Sequence, residues 1–217
     1  MSLGSQSIDQ RLNAYELALN NALGDAAVSA SLARYNFTAE KINVGLALCQ
    51  EARQKQFDQL SEYAEQYAAT QAFEQAWEAA EAEYMRLLKL GRIIFKDQHA
   101  IYLKLGLVGN RKRSFSGWLT QARQFFQNTL GDAAVLAGYA AYNVLQAEIE
   151  AAQALVDAAE AAQRAQQRET GEAQEATLVR DAALDAIDAW MSNFIGVVKI
   201  ALQGTQLSEI LGILERS

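Results

Sequence analysis

The chain has 217 residues, of which 41 are Ala, none Pro, one Cys (Cys49) and one His (His99), and its 19 basic and 26 acidic side chains leave a net charge of −7. Average usage of roughly 5% would give about ten prolines, so their absence predicts long uninterrupted helices and excludes a loop-rich or all-β domain. One Cys excludes a disulfide framework and a Cys-based zinc site, one His excludes a multi-histidine metal site within a single chain, and the acidic balance argues against bulk nucleic-acid binding.

The charge is uneven. Residues 98–131 carry no acidic side chain, while Lys104, Arg111, Lys112, Arg113 and Arg123 contribute +5, leaving −12 for the rest. No basic-plus-apolar segment resembles a signal peptide. The most apolar stretch, 194–202, is interrupted by Lys199 and falls short of the roughly 18 residues of a spanning helix. The expected location is cytoplasmic.

An internal repeat organises the chain. Leu23-Gly24-Asp25-Ala26-Ala27-Val28 recurs as Leu130-Gly131-Asp132-Ala133-Ala134-Val135, and at that offset of 107, without a gap, 24 of 81 positions are identical. Tyr35/Tyr142, Asn36/Asn143, Ile42/Ile149 and Thr70/Thr177 are among them, with Leu12/Leu119 and Asn21/Asn128 upstream. The reading is two tandem copies, 1–107 and 108–217, packing as one bundle.

In chain order, a short helix is expected over residues 8–22. The Gly24-Asp25 step either ends it, with Asp25 capping the next helix, or lies inside a longer helix. Val28, Leu32, Tyr35, Ala39, Ile42, Leu46 and Cys49 then recur at spacings of four and three, one stripe of a helix. A second stripe runs Tyr63, Tyr67, Thr70, Phe73, Trp77, Ala80, Tyr84, Leu87, Leu88, Gly91. A turn between the stripes makes each copy a long helical hairpin. An apolar tail (100–107) and a basic, Gly-containing connection come next. The second copy repeats the plan with a short helix over 115–129, arms on either side of Thr170-Gly171, where the Gly marks the turn, and a tail over 207–214. The expected fold is all-α: an elongated antiparallel helical bundle of two tandem hairpins with shorter flanking helices.

Candidate functional residues are few. Glu74, Glu78 and Glu81 sit on one side of a helix and recur as Asp181, Asp185 and Asp188; carboxylates so placed suit a hard cation or a basic partner. A di-iron bundle needs Glu-x-x-His pairs, which one His cannot supply. Arg111, Lys112 and Arg113 suit phosphate, acidic lipid or an acidic protein surface. Cys49 falls on an apolar stripe, as a buried structural thiol does, and His99 reads as a surface or capping residue. No Gly-rich phosphate loop and no Ser/His/Asp set is present. The expectation is a non-catalytic helical scaffold or protein-interaction module, self-associating or bound to a protein partner, with no cofactor and no nucleic acid. The alternatives are a membrane-interacting or pore-forming bundle, and a bundle holding a small ligand or cation.

Overall fold

The computed structural model describes residues 7–202 of the chain, so the expected tail over 207–214 lies outside the described residues. Among them the secondary structure is helical throughout: α1 (Ile8–Gly24), α2 (Ala26–Ala33), α3 (Ala39–Ile94), α4 (His99–Lys104), α5 (Phe115–Leu130), α6 (Ala133–Ala140) and α7 (Gln146–Ala201).

Local chemistry sets most of these boundaries. Ser7 and Gln10 form a reciprocal capping box at the start of α1. The Gly-Asp step does break the helix: α1 ends at Gly24, and Asp25 accepts from the amides of Ala27 (2.8 Å) and Val28 (3.0 Å) to begin α2. Asp132 does the same for α6 through Ala134 and Val135.

The first stripe is not one helix. Asn36 turns to φ 62°, and the amides of Asn36 and Phe37 return to the carbonyls of Ala33 and Leu32. That is a Schellman stop with Asn in the left-handed position. Val28 and Leu32 therefore lie on α2, and Ile42 and Cys49 on α3. Asn143 (φ 60°) ends α6 in the same way. The starts of α5, α6 and α7 each lie 107 residues after those of α1, α2 and α3.

Among the described residues, the hairpins expected within each copy are absent. Thr170 and Gly171 sit inside α7, a single helix of 56 residues, and α3 is equally long and runs through 61–64. The physical reason is one of magnitude. An interior Gly costs a helix only about 1 kcal/mol relative to Ala, and no Pro removes an amide or clashes with the preceding turn. The Thr170 hydroxyl bonds back to the Gln166 carbonyl at 2.8 Å without interrupting the helix.

Packing divides the chain into two compact units, each drawing on both halves of the sequence. One comprises the chain up to Tyr63 with the chain from Glu172 onward; the other is Ala64–Gly171. In the first, Leu12, Tyr15 and Leu19 of α1, Val28 and Leu32 of α2, Ile42, Cys49 and Ala52 of α3, and Ile187, Met191, Phe194 and Val198 of α7 form one buried core. Here α3 and α7 pack antiparallel: Gln59 meets Arg180 at 3.2 Å, and Tyr63 meets Thr177 at 3.5 Å. Gly45 of α3 is a close approach, since a Cβ there would stand 2.6 Å from the Trp190 ring. In the second unit, Tyr84, Leu87 and Leu88 of α3, Trp118, Phe125 and Phe126 of α5, Val135 and Tyr139 of α6, and Ile149, Ala152 and Val156 of α7 make the core, with Leu105 and Leu107 after α4. Phe73 and Trp77 stack on each other and meet Phe115 edge-on. The second stripe is buried only from Ala80 onward; Tyr63 and Tyr67 are exposed.

Candidate functional site

The two acidic trios fall in different units. Glu74, Glu78 and Glu81 are exposed on the part of α3 that belongs to the second unit. Asp181 and Asp185 are exposed on α7 in the first, and Asp181 is held by the neighbouring Arg180 guanidinium, whose Nε lies 2.9 Å away. Asp188 differs from the other five. It is half-buried, accepts from the Tyr15 hydroxyl at 3.0 Å and pairs with Arg11 at 2.9 Å.

Those three residues border a cleft of about 500 Å³ between α1 and α7, lined also by Ser192, Gly196 and Lys199. Burial pushes the Tyr15 phenol up to about 12, reinforced by the charge of Asp188 and by its hydrogen bond, while Arg11 acts in the opposite sense. Tyr15 therefore stays a neutral donor to Asp188 across the physiological range. The arrangement is an acid held between a cation and a phenol, which suits packing and positioning. Asp188 stood out in the sequence by its spacing, whereas nothing local marked Arg11 and Tyr15, since the Tyr15–Asp188 contact spans 173 residues.

The basic stretch is largely spent on packing within the second unit. Arg111 donates to the Tyr84 hydroxyl at 2.8 Å and to the Val108 carbonyl at 2.7 Å, so it clamps the connection onto α3. Lys104 pairs with Asp132 at 2.9 Å, and Arg123 pairs with Glu160. The Lys104 ammonium, then the amides of Ala134 and Val135, hold the Asp132 carboxyl below its usual range. Lys112 and Arg113 are exposed. Phe115 and Trp118, adjacent to the cluster in sequence, are buried in the core rather than offered beside it.

Two surface features of the first unit were not anticipated. Asp58, Glu62, Glu172 and Glu175 line a second cleft of about 290 Å³ between α3 and α7, with Lys55 at 3.5 Å from Asp58. On α3, Phe57, Leu60 and Tyr63 succeed one another three residues apart and are each about half exposed. Across the helix pair, Leu178 is 64% exposed, next to the Thr177 whose hydroxyl meets Tyr63. Both features need the antiparallel pairing of α3 with α7, which no residue spacing discloses.

Cys49 is fully buried, as its stripe position implied, and His99 is exposed at the start of α4. Among the described residues, no helix is long and apolar enough to cross a membrane. Comparison with family models, with curated proteins and with solved structures finds no match to this chain.

Proposed function

We propose that the protein is a non-catalytic helical scaffold that associates with a second copy of itself, and that its chain is a tandem duplication of one three-helix unit. The duplication reading is supported by the gapless 107-residue offset in the sequence and by the same spacing between the starts of α1–α3 and α5–α7. Ser at 7 and 114, Asp at 25 and 132, and Asn at 36 and 143 repeat as caps and stops.

The observation that carries association is the exposed apolar stripe Phe57, Leu60 and Tyr63 on α3. Three large apolar groups at helical spacing leave hydrocarbon in water that a partner surface would remove. Charge favours a second copy as that partner. The unit that carries the stripe also carries the acidic cleft of Asp58, Glu62, Glu172 and Glu175, and the same chain exposes Lys112 and Arg113 elsewhere. Opposite patches on one chain steer two copies together and set their register.

Light scattering across a range of concentration and salt tests this. The expected result is a mass above the 23.8 kDa of one chain, falling as salt rises. Leu60→Glu is expected to weaken association about tenfold or more while leaving the melting temperature of the monomer unchanged. A monomer at every concentration and salt overturns the reading.

A further inference from the structure

In the second unit, the connection that follows α4 is laid along α3. Arg92 donates to the carbonyls of Leu107 at 2.8 Å and Gly109 at 3.1 Å, and Arg111 donates to the Tyr84 hydroxyl at 2.8 Å. The connection thus returns from Arg92 to Tyr84, about 12 Å along the helix. Arg111 also reaches the Gly109 carbonyl at 3.3 Å, so two guanidiniums converge on one oxygen. Among the described residues, neither of them meets a carboxylate.

The surface around this pair is apolar and basic. Val108, between the two gripped carbonyls, is 55% exposed, and Ile93, beside Arg92, is 61% exposed. Lys89 stands one turn before Ile93 on α3, while Lys112 and Arg113 follow Arg111; all three are exposed. Lys96, one turn beyond Arg92, is met by Asp97 at 3.9 Å and adds no net charge.

The apolar stripe of the first unit has the opposite rim. The contact between Tyr63 and Thr177 sets Phe57, Leu60 and Tyr63 beside α7. There Asp181 lies one turn beyond Thr177 and Asp185 one turn further, both exposed. Arg180 holds Asp181, whereas Asp185 has no basic partner among the described residues.

We propose that the stripe of one copy docks, head to tail, on the patch of Ile93 and Val108 of a second copy, with Asp185 facing the cations around it. The proposal rests on the self-association reading and names the surface that the stripe meets. Hydrocarbon leaves water on both sides of such a contact, and the charges that face each other have opposite signs. A stripe meeting its own twin about a two-fold axis would bring the same carboxylates to both sides. A head-to-tail pair keeps one stripe and one patch free, so further copies add unless a ring closes.

Complementation between two full-length variants tests the docking, read by light scattering, with each melting temperature as the check on folding. Leu60→Glu spoils the stripe, and Ile93→Glu spoils the patch. Each alone is expected to associate about tenfold or more weakly than the unaltered chain. Mixed in equal amounts they should bind each other as tightly as unaltered chains do and stop at two, because one keeps its patch and the other its stripe. Lys112→Glu, which lies on the connection and not on α3, should behave as Ile93→Glu does and replaces it if the helix variant melts early. Patch variants that associate as strongly as the unaltered chain overturn the docking and leave self-association standing. So does a mixture no heavier than its separate parts. An unaltered chain that stays monomeric overturns the self-association reading and the docking with it.

Discussion

Cys49 shows how far a single side chain is governed by its surroundings. Burial, then the carboxylate of Glu16, pushes its thiol up to about 12, with Arg53 acting in the opposite sense. Since the thiolate is the reactive species, the folded chain at pH 8 is expected to resist Ellman's reagent, and the unfolded chain to react at once. Rapid labelling of the native protein would contradict this burial. Tyr15 behaves likewise under alkali. Tyr15 and Cys49 are neutral when protonated, and both titrate higher in the folded state than their ordinary values of 10.0 and 9.0. Their contribution is therefore full below pH 9 to 10 and lost as pH rises through about 12, because the unfolded chain releases its protons first. The denaturation midpoint should fall over that window, and Tyr15→Phe should flatten the fall. A midpoint independent of pH from 8 to 12 would refute it. The sequence marked Cys49 through its stripe; it could not mark Tyr15, whose partner lies on another helix.

At the scale of elements, the long helices were foreseeable in kind but not in extent. Absent proline and the alternating spacings pointed to them. The Gly at 171 read as a turn because its sequence context is polar, yet a cost of about 1 kcal/mol cannot stop a helix that neighbouring residues propagate. A Cβ at Gly171 would meet nothing within 4 Å, so Gly171→Ala is expected to stabilise the protein by about 1 kcal/mol, measured by chemical denaturation. A loss of stability would mean that the position needs a glycine conformation. The true stops, Asn36 and Asn143, appeared in the sequence as repeated identities. Their role emerges from the left-handed backbone that Asn tolerates and from the carbonyls of Leu32 and Tyr139 to which the following amides return. Asp25 and Asp132, by contrast, offered a cap as one of two readings of the Gly-Asp step, and the bonds they accept from the amides two and three residues on decide for it.

For the whole molecule, the distribution of burial decides where the structure is most protected. No residue of α3 from 60 to 79 is buried, whereas 42–52 and 80–88 supply core positions in their respective units. In dilute protein, amides over 60–72 should therefore exchange at least about tenfold faster than those of the flanking segments, since local opening there exposes little apolar surface, whereas Phe73 and Trp77 pack on Phe115. Uniform protection along α3 would show that something other than the two cores holds it. The sequence by itself determined the helical class and the self-similarity at an offset of 107 residues, and it offered a cap at Asp25 as one of two readings. All of these act over a few residues or by direct comparison of the chain with itself. Tertiary structure alone decided that α3 and α7 run unbroken, that each compact unit joins residues from both halves, and that Asp188 is engaged with Arg11 and Tyr15. Those outcomes depend on which distant faces bury against each other, and burial is a property of the packed pair, which no single segment encodes.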